Sequence, residues 1–277
     1  MSAIATSLLE TLAPQIVDIS IRAGKAILEV YGQAEIETTL KDNDSPLTQA
    51  DLAANTIITD ALKQLDPAFP ILSEESKEIP YEERQSWETF WLVDPLDGTK
   101  EFIKRNGEFT VNIALVSQGK PILGVVHAPV LDTTYWGASG LSAFKQVAGA
   151  ATTPIQVTHA PVSSGTTLNV VASRSHAGKE TQDFLDKLTA AGMAIEVVSK
   201  GSSLKLCLVA EGTAQLYPRF GPTMEWDTAA AQAVVEHAGG TVSNIDGSPL
   251  SYNKPNLLNP YFVVSDASGL NWKAYAN

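Results

Sequence analysis

The apolar pattern at the start of the chain predicts two amphipathic helices. Between residues 4 and 31, apolar side chains recur at steps of three or four, and Pro14 is expected to divide this helix near its first turns. A polar, turn-rich stretch follows at 41–46. The next helix is predicted to begin with Thr48 as its cap and Asp51 at the capping-box position. The opening segment is therefore expected to be mainly helical.

Beyond Pro67 the pattern changes to that of short β-strands. Apolar runs predict strands at 69–72, 90–93, 109–116, 122–126 and 133–136. After a stretch rich in small residues at 145–165, strands alternate with helices predicted at 178–191, 202–211 and 228–238. This order predicts an α+β first domain, residues 1–150, and an α/β second domain, residues 151–277.

Composition narrows the class of protein. The 277 residues include 19 basic and 31 acidic side chains, a net charge of −12, which argues against a nucleic-acid polymer as partner. The single cysteine, Cys207, cannot form an internal disulfide and is interpreted as a small core residue. No apolar run approaches the length of a membrane span, and Glu10 interrupts the early apolar positions. A cytoplasmic protein without a membrane span is expected.

Acidic residues follow predicted strands and open predicted helices at four places. Glu74 and Glu75 follow one strand, and Asp94 and Asp97 follow another. Asp51 and Asp227 stand where helices begin. Magnesium prefers oxygen ligands, and two such ions can act together in phosphoryl transfer. The sequence thus predicts a magnesium site from the four groups together, although each acidic group alone is more typical of a turn, a surface pair or a helix cap.

The segment Asp94–Thr99 carries the most specific signal. Its proline fixes one backbone angle, and Gly98 permits a turn that other residues adopt with difficulty. Asp94 and Asp97 can then converge, with the backbone carbonyl of Leu96 as a further oxygen ligand. Thr99 is predicted to begin a helix whose free N–H groups would hold a phosphate.

Taken together, these residues resemble the inositol-monophosphatase-like superfamily of lithium-sensitive, magnesium-dependent phosphatases. The superfamily pattern is an Asp, then Glu-Glu, then Asp-Pro-Leu-Asp-Gly-Thr, then Trp-Asp-x-x-Ala. The chain matches it at Asp51, Glu74-Glu75, Asp94–Thr99 and Trp226–Ala230. The resemblance spans essentially the whole chain and implies a layered αβαβα sandwich and two or more Mg²⁺ ions.

Within the superfamily, the chain is most similar to the bacterial 3′(2′),5′-bisphosphate nucleotidases. The segments that carry this similarity are 45–51, Ser173–His176, 201–212 and 217–222. The resemblance implies that the chain removes the 3′-phosphate of adenosine 3′,5′-bisphosphate, giving AMP and phosphate. Some bacterial members lie on the cytoplasmic face of the inner membrane. The oligomeric state stays open.

The same resemblance implies roles for individual residues. Glu74, Asp94 and the Leu96 carbonyl would hold the first ion, and Asp94, Asp97 and Asp227 the second. Asp51 and Thr99 would help activate a water, with Glu75 beside them. The expected substrate contacts are Glu74, Leu96, Asp97, Gly98, Thr99, Ser173, His176, Ser202, Lys205, Arg219 and Asp227.

Two alternatives stay open. The metal motifs alone equally fit an inositol- or sugar-phosphate phosphatase on the same fold. A catalytically silent binding protein is the third hypothesis, and it is opposed by the presence of Asp51, Asp97 and Thr99. One departure from the superfamily pattern is the pair Met224-Glu225 before Trp226. Glu225 is expected either to lie beside the second metal and alter metal preference or to face solvent.

Overall fold

The computed structural model describes residues 4–36, 38–40, 46–163, 165–172 and 178–276. Within these residues, helices and sheets alternate in five layers. The helices are α1 (Thr6–Tyr31), α2 (Gln49–Leu62), α3 (Tyr81–Arg84), α4 (Thr99–Ile103), α5 (Lys179–Ala190), α6 (Leu204–Ala210), α7 (Glu225–His237) and α8 (Lys273–Ala276). The strands are β1 (Thr38–Leu40), β2 (Pro46–Thr48), β3 (Ile71–Ser73), β4 (Thr89–Asp97), β5 (Thr110–Ser117), β6 (Lys120–Ala128), β7 (Thr133–Ala138), β8 (Ala143–Val147), β9 (Thr153–Ile155), β10 (Thr167–Val171), β11 (Ala194–Val198), β12 (Leu216–Arg219), β13 (Thr241–Asn244) and β14 (Phe262–Ser265).

The larger sheet has the strand order β3-β4-β5-β6-β7-β8-β9. Its first pair, β3 and β4, is parallel, and the remaining pairs are antiparallel. Successive residues of a strand point to opposite faces. Trp91 and Val93 accordingly pack against α1 and α2, whereas Phe90 and Leu92 pack toward α6 and α7. The apolar run of β4 is thus buried on both faces.

The smaller sheet has the order β11-β10-β12-β14-β13, with β10 parallel to β11 and β12. Helices α6 and α7 lie between the two sheets, and α5 covers the outer face of the smaller one. Gly124 of β6 allows α7 to approach closely, because a Cβ there would lie 2.1 Å from the backbone oxygen of Ala230. This layering confirms the predicted αβαβα sandwich.

Several local predictions need adjustment. Pro14 lies inside a continuous α1 and does not divide it, since the buried Leu12, Ala13 and Ile16 hold this part of the helix against the sheet. The last long helix begins at Glu225 rather than at Thr228. The larger sheet continues through Ile155, so part of the small-residue stretch is β-structure. The domain division at residue 150 stays a prediction.

The prediction for the single cysteine is confirmed. Cys207 is fully buried in α6, and burial raises the pKa of its thiol well above the ordinary value, as expected of a core residue. Among the described residues, the helices are all too short or too polar to cross a membrane.

Candidate active site

Three acidic side chains from distant parts of the chain converge at one end of the larger sheet. Carboxylate oxygens of Glu74, Asp94 and Asp227 all lie within 4.8 Å of one another. The parallel pairing of β3 with β4 places Glu74 beside Asp94, and the Glu74 N–H donates to the carbonyl of Val93 at 3.1 Å. Asp227 reaches the same point from the first turn of α7. The predicted convergence of these carboxylates is thus present in the structure.

The end of β4 places Asp94 in this converging set and Asp97 in the lining of the adjoining cleft. The strand was predicted to end at Val93, but it continues to Asp97, with an irregularity in its pairing to β5 between Asp94 and Asp97. The Leu96 N–H donates to Asp94 Oδ1 at 3.0 Å. Gly98 then adopts φ +95°, a left-handed conformation that favours glycine, and α4 begins at Thr99 as predicted.

Asp97 is held by a residue that the sequence interpretation missed. The Ser203 N–H donates to Asp97 Oδ2 at 2.6 Å. The Ser203 hydroxyl in turn donates to Asn112 Oδ1 at 2.8 Å and lies 2.8 Å from Thr110 Oγ1. The only sequence signal was the small, polar run Gly201–Ser203 before a helix, which also fits an ordinary helix start.

Asp51 closes the predicted capping box and also contacts Thr99, while its role in activating a water stays a prediction. Its Oδ2 accepts hydrogen bonds from the Thr48 N–H at 2.8 Å and the Thr48 hydroxyl at 2.6 Å, which closes the capping box of α2. Its Oδ1 accepts the Thr99 hydroxyl at 3.3 Å. The helix cap therefore fixes the carboxylate that orients Thr99.

Asp227 likewise combines a helix role with a site role. It was considered as the N-cap of its helix, but it is the third residue of α7, and its Oδ2 accepts the Met224 N–H at 2.9 Å. A carboxylate at this position satisfies a backbone N–H that would otherwise lack an intrahelical partner. The hydrogen bond fixes the side chain while one of its oxygens lies in the acidic cluster.

Burial and like charges raise the pKa values of the clustered carboxyls. Burial raises the pKa of Asp94 well above its ordinary value, with further contributions from Glu74 and Asp97. Burial raises the pKa of Asp97 to about 6, against the lowering effects of Lys205 and the Ser203 hydrogen bond. Burial, followed by the charge of Asp97, raises the pKa of Asp227 to about 8. A divalent cation would relieve this repulsion, so the residues present fit a metal site.

A cleft of about 530 Å³ opens over the cluster. Its lining includes the predicted site residues Glu74, Asp97, Gly98, Thr99 and Asp227. A smaller adjoining pocket of about 80 Å³ is lined by residues that include Asp97, Ser202, Lys205, Arg219 and Asp227. Two cationic side chains predicted to contact substrate therefore lie directly beside the candidate metal ligands.

Three other predicted residues have different outcomes. Ser173 and His176 lie outside the described residues. Glu75 follows Glu74 in the turn after β3, is half-buried, and is not a member of the converging set. Its proposed role stays a prediction.

Glu225 does not face solvent, so that interpretation is wrong. Its side chain is fully buried, and its carboxylate accepts hydrogen bonds from the backbone N–H groups of Asn253 and Lys254 and from Lys254 Nζ. A carboxylate that loses its water must be paired and hydrogen-bonded, and these contacts meet that need.

The fold and the cluster define a layered α/β protein with a candidate divalent-metal site. The sequence profile of the Inositol monophosphatase family matches residues 8–270. This chain belongs to the Inositol monophosphatase family.

Relatives cover nearly the full chain. The 3′(2′),5′-bisphosphate nucleotidase CysQ of Escherichia coli (strain K12) is 51% identical over 255 residues, 91% of this chain and 98% of that protein. The crystal structure of CysQ from Bacteroides thetaiotaomicron is 42% identical, with a TM-score of 0.81 over 93% of this chain and 97% of that one. The extragenic suppressor protein suhB from Bartonella henselae, at 24% identity and a TM-score of 0.75 over 96% of this chain and 98% of that one, shares the fold.

Proposed function

We propose that this protein is a Mg²⁺-dependent phosphatase that hydrolyses the 3′-phosphate of adenosine 3′,5′-bisphosphate to AMP and phosphate. The observation that carries the proposal is the convergence of Glu74, Asp94 and Asp227 beneath an open cleft. The similarity to bisphosphate nucleotidases over 91% of the chain supports the choice of substrate.

The metal ligands are proposed as two overlapping sets. Glu74, Asp94 and the Leu96 carbonyl would hold one ion, and Asp94, Asp97 and Asp227 would hold a second. Bound Mg²⁺ supplies two effects here, acidification of a water molecule and neutralisation of charge on the phosphate. Asp94 belongs to both sets and is the most deeply buried of these acids, with 1% of its surface exposed.

Thr99 and Asp51 orient the attacking water. The Thr99 hydroxyl lies 3.3 Å from Asp51 Oδ1 and 3.4 Å from the Leu96 carbonyl. Donation of its proton to the charged Asp51 would leave the Thr99 oxygen free to accept a hydrogen bond from water. Asp51 cannot turn away, because Thr48 holds its other oxygen. In hydrolysis the water oxygen bonds to phosphorus, the bond from phosphorus to the 3′ oxygen breaks, and the nucleotide oxygen takes up a proton.

Lys205 and Arg219 are proposed to bind the second phosphate. Both line the small pocket next to the cluster, and both carry positive charge in a chain whose net charge is −12. When one phosphate of a bisphosphate nucleotide lies over the metal site, the other phosphate needs a cationic position of its own. The turn at Ser202 closes this pocket, with its hydroxyl donating to the Glu108 carbonyl at 2.6 Å. Ser173 and His176 are proposed as further nucleotide contacts.

Steady-state kinetics with Mg²⁺ test the proposal. We expect kcat/KM for adenosine 3′,5′-bisphosphate to exceed that for inositol 1-phosphate by at least about 100-fold, with AMP as the nucleotide product. A preference for the inositol ester would instead establish the alternative, an inositol- or sugar-phosphate phosphatase on the same fold. Absence of turnover on either ester would favour a silent binding protein.

A further inference from the structure

An irregular segment, residues 253–259, runs between the start of α7 and the short helix α3, and is called the strap below. The strap is bonded to the start of α7 through the backbone. The Glu225 N–H donates to the Leu257 carbonyl at 2.9 Å, and the Asn259 N–H donates to the Thr223 carbonyl at 2.8 Å. The Asn259 side-chain amide adds a bond to the Met224 carbonyl at 2.8 Å. The turn that delivers Asp227 is therefore fixed to the strap.

Glu225 adds a charged anchor to the same contact. Its carboxylate is fully buried and accepts from the N–H of Asn253 at 2.7 Å, the N–H of Lys254 at 3.0 Å and Lys254 Nζ at 2.6 Å. Charge-assisted bonds of this kind are stronger than neutral ones and demand a defined geometry. Removing the carboxylate would release the strap at its first two residues.

Arg84 ties the other side of the strap to α3. Arg84 is 3% exposed. Its guanidinium donates to the Lys254 carbonyl at 2.7 Å and to the Pro255 carbonyl at 2.9 Å. It also donates to Asn253 Oδ1 at 2.9 Å, and the Asn253 amide returns a bond to the Arg84 carbonyl at 2.7 Å. Helix α3 follows Glu74 along the chain, so the strap is bonded directly to the start of α7 and, through Arg84, to the helix that follows Glu74.

The space between the turn that carries Glu74 and the start of α7 is not filled by close packing. A cavity of about 440 Å³ lies there, lined by residues that include Glu74, Tyr81, Arg84, Trp226 and Leu257. Side chains that line such a space lack direct packing contacts across it, so fewer contacts fix the distance between its two walls. The strap supplies a hydrogen-bonded connection between α3 and the start of α7.

We infer that Glu225 and Arg84 are positioning residues that set the separation of Glu74 and Asp227 through the strap, and thereby the affinity of the metal site. The inference rests on the metal centre in the proposed function. Groups that orient metal ligands from behind commonly change metal affinity by about 10- to 100-fold when they are replaced. Glu225 and Arg84 would act through the ligands and would not touch the substrate.

Mn²⁺ binding measured by electron paramagnetic resonance, without substrate, tests the inference on Glu225→Gln. We expect the dissociation constant for Mn²⁺ to rise about tenfold. The matched control is Glu211→Gln, which breaks another Lys–Glu pair of 2.6 Å, with Lys145, away from the cluster. Both variants are expected to lower the melting temperature, but the control should keep wild-type Mn²⁺ affinity. Equal affinity changes in the two variants, or none in Glu225→Gln, would overturn the inference.

Arg84→Lys serves as a second variant should Glu225→Gln fail to fold. It keeps the charge but cannot bond the Lys254 and Pro255 carbonyls together, so a several-fold loss of Mn²⁺ affinity is expected. Unchanged affinity in a folded Arg84→Lys protein would contradict the positioning role. Wild-type protein that binds Mn²⁺ but does not cleave adenosine 3′,5′-bisphosphate would overturn only the proposed function. Wild-type protein that binds no Mn²⁺ would overturn both.

Discussion

The two halves of the chain contribute to the candidate site in different ways. In the first half, Glu74, Asp94 and Asp97 lie at the ends of paired strands, where the sheet itself fixes their spacing. In the second half, Lys205 in α6 and Arg219 at the end of β12 line a small pocket. Among the residues that the structure describes, Asp227 is the one member of the acidic cluster that comes from the second half. Under the proposed function, the first half supplies most of the metal ligands, and the second half supplies Asp227 and the cations for the other phosphate.

Asp97→Asn is expected to have the largest effect on turnover, because it removes a carboxylate from the proposed metal site. Loss of one carboxylate from the proposed metal set should lower kcat by at least about 1,000-fold, since metal stabilisation of the transition state amounts to several kcal/mol. The fold should survive, because Asn keeps an oxygen that can accept the Ser203 N–H and the change relieves repulsion within the cluster. Turnover of the bisphosphate, together with circular dichroism, checks both expectations. Near wild-type activity would refute the assignment of Asp97.

Thr99→Ala tests the water-orienting pair with the metal ligands intact. We expect kcat to fall about 100-fold with little change in KM, because the hydroxyl acts on the attacking water. Thr99→Ser is the matched control and should recover most of the activity, since it restores a donor to Asp51. If Ser and Ala behave alike, the hydroxyl has no such role.

Lys205→Met tests the proposed contact with the second phosphate of the substrate. Loss of this cation should raise KM for adenosine 3′,5′-bisphosphate about tenfold, because a charged hydrogen bond to phosphate is lost. Turnover of a substrate with one phosphate should change much less. The control is Lys200→Met, which removes a nearby cation that pairs with Glu108 at 3.5 Å and does not line the small pocket. Equal effects on both substrates would place Lys205 with the chemistry instead.

The smallest expected effect concerns the stability of the metal-free protein. The pKa of Asp227 is raised to about 8 from an ordinary 3.8, so the folded state binds this proton more tightly than the unfolded chain does. This proton therefore contributes to the free energy of unfolding. The contribution is complete below about pH 4 and is lost as pH rises through about 8. Asp227→Asn should therefore melt roughly 5 °C above wild type at pH 8.5 and show no such gain near pH 4. A gain that does not depend on pH would contradict the electrostatic explanation.

Much of the acidic region could be predicted from the sequence because its constraints are local. A strand followed by Asp94–Thr99 already specifies a turn, a left-handed glycine and a helix start, and the structure contains all three. The sequence pattern predicts that β4 ends at Val93, which is too early. Pairing with β5 continues past Val93 through an irregular register, and no local pattern encodes that pairing.

Local sequence patterns do not specify the connections between distant segments. The pairing of Asp51 with Thr99 spans 48 residues, and it is expected from the family resemblance alone. Glu225 has backbone and side-chain partners 28 and 29 residues away, so its burial depended on tertiary structure that the local sequence does not specify. The observed start of α7 differs from the predicted one for a related reason. The strap bonds to the Glu225 N–H and holds the turn before the helix.

A competition experiment tests the central claim most directly. Equal concentrations of adenosine 3′,5′-bisphosphate and inositol 1-phosphate are incubated with the purified protein and followed by ³¹P nuclear magnetic resonance, with Mg²⁺ and with excess chelator. The account predicts that the 3′-phosphate signal is replaced by those of inorganic phosphate and AMP while the inositol ester persists, and that the chelator stops the reaction. Preferential loss of the inositol ester, or turnover that continues in the chelator, would contradict it.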